Sequence, residues 1–264
     1  MNILLTNDDG IFSDGIQKLA ESLRSKGKHE VLVVAPEINR SGISHGVSLL
    51  NGPIKLKEID KDTWTCSGYP ADCIIAGLHM TKKTDIVVSG INMGANLGTD
   101  IIFSGTAAAA RQASLKGIPA IALSLLGHGN YYWDMAVSWS VDHLEKLLSY
   151  WREESFVNVN IPNSPGGPEG YILAWPSVKY YQDSINIMNV PEGGHSPEGD
   201  RFCFLIPKGE SCEDEAGSDC DVTSRNFASI SPVFNQPVIL RDLCPDAPDH
   251  AAVNSRFGST GNKE

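Results

Sequence analysis

The sequence predicts an α/β fold: a mostly parallel sheet covered by helices on both faces, followed by a β-rich C-terminal accessory region. Three observations carry this reading. Apolar runs such as Val31-Leu32-Val33-Val34-Ala35 lack the alternation of a half-exposed strand, as a strand covered on both faces requires. Segments of helical period separate these runs. Polar loops rich in glycine follow several of them, at the sheet edge where such folds bind ligands.

In chain order, Ile3-Leu4-Leu5 opens the sheet and breaks into the polar turn Thr6-Asn7-Asp8-Asp9-Gly10. Ile16, Leu19, Ala20 and Leu23 then fall at the spacing of a helix with one buried face, with Ser13 or Asp14 as its cap and Gly27 as its stop. Val31 to Ala35 completes a strand, helix, strand unit, which Pro36 ends. The loop Glu37 to Gly42 leads into Val47-Ser48-Leu49-Leu50 and Asn51-Gly52. Asn-Gly signals a hairpin turn, so an antiparallel excursion reaching Trp64 is expected here. Gly68-Tyr69-Pro70-Ala71-Asp72-Cys73 starts a helix to Met80, with Pro70 in the first turn, where its missing N–H is harmless. Asp85-Ile86-Val87-Val88-Ser89 is another buried strand.

A second polar concentration follows. Gly90 to Gly98 is a glycine-rich loop, and Ser104-Gly105-Thr106 heads a helix containing Ala107 to Ala110. Gly117 and Pro119 close that helix, and Ala120 to Ser124 returns as a strand. Trp133, Val137, Val141, Leu144, Leu148 and Trp151 mark a long amphipathic helix, and Phe156 to Asn160 is the fifth core strand. Crossovers in such a sheet are right-handed. From Pro162 the texture changes to prolines, glycines and short extended pieces, Tyr171 to Trp175 and Arg201 to Leu205, with an irregular acidic loop near Glu210 to Asp221 and a last strand at Phe227 to Ser231. Residues 1–160 therefore form the expected core, 161–244 the accessory region that completes the domain, and 245–264 a polar tail.

Bulk properties narrow the function. A net charge of -11 and a pI near 5.1 disfavour a nucleic-acid duplex or an anionic membrane as partner, since both repel an acidic surface. No run approaches the roughly 20 apolar residues of a membrane span, and Met1 leads straight into a strand, so a cytoplasmic location is expected. The six cysteines include no CxxC pair and are expected to be reduced thiols.

Two adjacent carboxylates at a strand end, Asp8 and Asp9, fit a hard cation such as Mg²⁺ or Mn²⁺. On local sequence alone they fit a helix-capping turn equally well. Ser104, Gly105 and Thr106 at a helix N-terminus suggest anion binding, against a plain capped helix packed on the sheet. The parallel topology brings Asp8-Asp9, the Asn39 to Ser41 loop and the Asn92 to Asn96 loop to one edge. His45 and Arg40 read more simply as loop residues, and Lys179, Tyr180 and Tyr181 as hairpin packing, although aromatic rings also stack on bases.

The blocks Thr6-Asn7-Asp8-Asp9-Gly10, Val34-Ala35-Pro36, Asn39-Arg40-Ser41-Gly42, Gly68-Tyr69-Pro70-Ala71-Asp72-Cys73, Ser89-Gly90-Ile91-Asn92 and Ser104-Gly105-Thr106, in this order, closely resemble the SurE family of survival-protein nucleotidases. The resemblance is specific from Met1 to about Ala122 and resumes near Ser229-Ile230-Ser231-Pro232. It implies a Rossmann-like three-layer sandwich, one divalent metal (Mg²⁺ or Mn²⁺) and hydrolysis of nucleoside 5′-monophosphates, with 3′-monophosphates as a second substrate class. It also implies a homodimer or homotetramer built by exchange of hairpins or C-terminal arms. The metal ligands it implies are Asp8, Asp9, Ser41 and Asn92, with Asp8 and Asp9 also catalytic; Asn96, Ser104, Gly105 and Thr106 would hold the phosphate. The sequence departs from the family at Tyr69, in the weakly basic Lys179-Tyr180-Tyr181, in the acidic Glu210 to Asp221 stretch and in the tail. Two rivals use similar residues: a Mg²⁺-dependent phosphoacceptor signalling domain and a nucleotide-binding module without turnover.

Overall fold

The computed structural model describes residues 1–237 except 26, 50, 128, 190–200 and 213–214. In chain order the elements are β1 (Asn2–Thr6), α1 (Asp14–Ser25), β2 (Glu30–Pro36), β3 (Leu56–Asp60), β4 (Thr63–Cys66), α2 (Pro70–Met80), β5 (Ile86–Met93), α3 (Asp100–Phe103) and α4 (Gly105–Ser114). There follow β6 (Ala120–Leu125), α5 (Trp133–Leu148), β7 (Ser155–Ile161), β8 (Tyr171–Leu173), β9 (Lys179–Asn189), β10 (Arg201–Cys212), α6 (Asp219–Ser224) and β11 (Ala228–Phe234).

One sheet holds nine strands in the order β3-β4-β2-β1-β5-β6-β7-β11-β8. Strands β4, β2, β1, β5, β6 and β7 run parallel, and β3 and β11 antiparallel to their neighbours β4 and β7. The five strands expected of the core are adjacent, ordered second, first, third, fourth, fifth. Strand order reverses between β1 and β5, which makes the crevice beyond their C-terminal ends a ligand position.

Alternation along β1 builds both sides of the core. Ile3 and Leu5 face α1 and α5, whose Ile16, Leu19, Leu23, Ala136, Leu144 and Leu147 are all buried with them. Leu4 faces the opposite layer, where Ile74 of α2 and Ala107, Ala109, Ala110 and Ala113 of α4 are buried. Alanines let α4 lie close to the sheet, which sets its N-terminus against the end of β1.

Several expectations are corrected. The antiparallel excursion exists, but its hairpin joins β3 to β4 at Lys61-Asp62, with Asp62 in the left-handed region (φ 53°). Residues 47–49 form no strand, because the Asp72 carboxylate captures the Ser48 N–H (3.0 Å) and hydroxyl (2.7 Å) and draws that segment to the start of α2. Helix α5 ends at Leu148, before Trp151. The acidic stretch is more regular than a loop: Glu210 to Cys212 belong to β10 and Asp219 to Asp221 to α6. Its two cysteines are not reduced, since Cys212 and Cys220 form a disulfide across the short segment joining those elements. Cys66, Cys73 and Cys203 are free thiols. Strands β9 and β10 form a separate long antiparallel ribbon. The polar tail lies outside the described residues.

Candidate active site

The turn after β1 is braced from within. The Asn7 side chain donates to the Gly10 carbonyl (2.9 Å) and to Ser13 Oγ (2.8 Å), leaving the next two residues to project at the sheet edge. The Asp8 carbonyl accepts the Arg40 N–H at 2.7 Å, which lays the loop after β2 alongside. Ser41 sits exposed in that loop, its N–H held by the Asn39 side chain at 2.7 Å in an Asx turn.

The two carboxylates have different surroundings. Asp8 is 3 % exposed, and the Thr106 hydroxyl donates to its Oδ1 at 2.5 Å. Burial raises its pKa, while the Thr106 hydroxyl and the backbone N–H groups of Thr106 and Gly105 at the head of α4 pull the other way. Asp9 accepts the Met93 N–H at 2.9 Å, which ties it to the end of β5. Burial, aided by the charge of Asp8 and opposed by that N–H, pushes Asp9 up to about 6.

Asp8, Ser41, Asn92, Asn96 and Ser104 line one cleft of about 270 Å³ over the β1–β5 crevice. Asn92 donates to the Gly94 carbonyl at 3.0 Å, and its amide oxygen has no protein donor among the described residues. Ser104 caps α4 by accepting the Ala107 N–H at 3.0 Å, so its own O–H can still donate. Asn96 is 6 % exposed and braced on every side: its N–H donates to Asn160, its side chain to Ser124 (both 2.8 Å), and its carbonyl accepts from Asn158 and Asn160. Gly105 packs against Asp8 so closely that an added Cβ would stand 2.8 Å from the Asp8 Cβ. Thr106 points at Asp8 and does not border the cleft.

The donor set fits a hard cation. It offers two carboxylates held at a disadvantage by burial, a hydroxyl and an uncommitted amide oxygen. Among the described residues no group of three or more His, Cys, Asp or Glu is placed to hold a metal, so any ion here would rest on the carboxylate pair and neutral oxygens. A pair of carboxylates with neutral oxygens suits an ion that retains water.

Two residues that sequence reasoning missed hold the loop above the cleft. Asp219 of α6 is fully buried and accepts the Gly98 N–H (2.8 Å), the Ser177 N–H (2.9 Å) and the Ser177 hydroxyl (2.7 Å). Asp100 lines the cleft and pairs with Lys179 at 2.8 Å. Neither could be found from local pattern, because each partner is many tens of residues away. Asp219→Ala leaves three buried donors unpaired and is expected to cost about 3 kcal/mol. A lower urea midpoint at unchanged m-value checks this. His45 and Arg40 are engaged elsewhere: His45 Nε2 meets Gln112 at 2.9 Å, and Arg40 donates to the Ser67 carbonyl at 2.9 Å beneath the Tyr69 ring. Tyr181 does border the cleft, so the hairpin root does more than pack.

Residues 3–182 match the family described as Survival protein SurE. The chain is 37 % identical over 242 residues to the 5′-nucleotidase SurE of Petrotoga mobilis, spanning 88 % of this chain and 92 % of the relative. It is also 37 % identical over 241 residues to the 5′-nucleotidase SurE of Geobacter sulfurreducens, at 88 % and 87 % coverage. The crystal structure of the SurE protein from Aquifex aeolicus superposes with a TM-score of 0.78 at 32 % identity, over 93 % of this chain and 98 % of that one.

Proposed function

Because the chain belongs to the SurE family and is a 5′-nucleotidase by that kinship, we propose that it hydrolyses nucleoside 5′-monophosphates at the β1–β5 crevice with one divalent ion, Mg²⁺ or Mn²⁺, held by Asp8, Asp9, Ser41 and Asn92. The observation that carries this is the convergence of Asp8, Ser41 and Asn92, from three separate loops, on one cleft where strand order reverses, with Asp9 next to Asp8 in the chain and tied to Met93 of the cleft wall. A divalent ion supplies Lewis-acid polarisation of the phosphoryl group and a more acidic water when bound.

The residues supply the rest. The Ser104 hydroxyl borders the cleft as a donor for phosphoryl oxygens, at a helix N-terminus whose dipole favours negative charge, while the Gly105 and Thr106 N–H groups hold the Asp8 carboxylate. Thr106 acts through Asp8, whose carboxylate it orients. Asn96 shapes the loop and lends its surface to the same pocket. In this reading Asp8 or Asp9 accepts the proton of the attacking water.

The strand order is also that of receiver domains, which bind Mg²⁺ at paired acids, so fold alone does not separate hydrolase from phosphoacceptor. Family membership does. We read residues 1–160 as the catalytic core, 161–244 as the part that completes it and mediates a homodimer or homotetramer, and 245–264 as a tail. Exposed Ile185, Ile187, Phe202 and Phe204 on the β9–β10 ribbon support a second chain as its partner. A cytoplasmic location, where nucleotide substrates are found, belongs to the same reading.

Phosphate release from a panel of nucleoside 5′- and 3′-monophosphates, with Mn²⁺ or Mg²⁺ and with chelator, tests the proposal. Release is expected only with metal and is expected to fall at least about 100-fold on Asn92→Ala. Metal-independent turnover, or full activity in that variant, would sink it.

A further inference from the structure

One wall of the cleft carries side chains that the hydrolysis reading leaves unused. Tyr181, near the start of β9, lines it beside Phe103, with the two rings meeting edge-on at a centroid distance of 5.9 Å. Met93 borders the same space from the end of β5. These side chains stay 38 %, 50 % and 54 % exposed respectively, although burying such groups would stabilise the fold.

Tyr181 is held in place by an unusual support. Its hydroxyl donates to Asp100 Oδ1, and Lys179 donates to Asp100 Oδ2 at 2.8 Å. The Lys179 side chain is 6 % exposed and that of Asp100 18 %, so the ion pair is largely removed from water. The Lys179 N–H also donates to Thr99 Oγ1 at 2.9 Å, which pins the strand to the start of α3. Desolvating an ion pair is costly, and here it fixes an aromatic ring facing a cleft.

Resting on the nucleotidase reading, we propose that Tyr181, Phe103 and Met93 form the nucleobase subsite, and that Asp100 is the positioning residue that sets the Tyr181 ring. The polar atoms of this wall bind one another, so the subsite offers flat apolar contact in place of base-edge readers. Stacking accepts every base and scales with ring area, which places purines ahead of pyrimidines. The soft thioether of Met93 completes a surface that adapts to either.

The test measures binding of adenosine, cytidine and ribose 5-phosphate by saturation-transfer NMR, together with KM and kcat for adenosine 5′-monophosphate. Tyr181→Ala is expected to weaken adenosine about tenfold, cytidine less, and ribose 5-phosphate not at all. Tyr181→Phe keeps the ring but loses the tether and falls between wild type and Tyr181→Ala. Asp100→Ala raises KM with kcat within about twofold, and Asp100→Asn, which retains an acceptor for the tyrosine hydroxyl, restores it. Wild-type protein that fails to bind adenosine overturns the proposal, as does unchanged adenosine binding in Tyr181→Ala or equal weakening of adenosine and ribose 5-phosphate. Adenosine binding that depends on Tyr181 in a protein releasing no phosphate would instead overturn the nucleotidase reading and leave the base subsite standing.

Discussion

Asp8→Asn and Asp9→Asn are each expected to lower kcat/KM at least about 1000-fold while making the metal-free protein more stable at pH 7.5. Both effects come from burial. The Asp8 and Asp9 carboxyls are raised above the usual carboxylate range because the charged form is poorly solvated, and for Asp9 the neighbouring charge adds to this. A group whose folded pKa is raised binds more protons when folded, so its stability contribution is complete below about pH 4 and is lost as pH rises through about 6 for Asp9. Above that pH the metal-free fold carries the Asp9 charge at a cost. For Asp9 this is no more than about 2 kcal/mol once its partial exposure is allowed for.

An asparagine keeps an acceptor for the Met93 N–H or the Thr106 hydroxyl and removes the charge. For Asp9→Asn, thermal denaturation with chelator should show a gain of about 5 °C at pH 7.5 that vanishes by pH 4, and for Asp8→Asn a gain of the same sign. A variant less stable than wild type across that range, or one that keeps phosphate release, would contradict the account.

Gly105→Ala sets two physical effects against each other. Gly105 is the first residue of α4, and alanine there is favoured by helix propensity by up to about 1 kcal/mol. Its new Cβ, however, would lie 2.8 Å from the Asp8 Cβ and 2.9 Å from its Oδ2. The helix start and the carboxylate must separate by several tenths of an ångström, and α4 has little room to retreat, since Ala107, Ala109 and Ala110 already lie buried against the sheet. The expected result is a stability change within about 1 kcal/mol and a fall in kcat/KM on the order of 100-fold. Steady-state kinetics beside a urea melt decide it; activity within threefold of wild type would mean that the close approach is dispensable.

How much of this was legible in the sequence depends on how local each cause is. The core strands were readable because continuous apolar runs between helical segments admit few other readings. The meeting of Asp8, Ser41 and Asn92 followed from topology, since loops after parallel strands share an edge. The hairpin turn was misplaced because Asn51-Gly52 is a strong local signal that a distant carboxylate, Asp72, overrides. A helix N-terminus looks alike in sequence whether it meets a ligand or a buried aspartate, so the Thr106–Asp8 contact is not legible locally. The Cys212–Cys220 bond, the Lys179–Asp100 pair and the Asp219 brace depend on contacts that no periodicity encodes.

Gly98 leaves the ribosome well before its anchor, because Asp219 follows it by 121 residues. At about 5–20 residues per second the interval is on the order of ten seconds. Throughout it the nascent chain already displays its paired acids but lacks the brace for the loop above them. Premature release before residue 219 would therefore yield a fragment with the carboxylates and an unbraced cleft, so the finished pocket is among the last features the chain acquires during its synthesis.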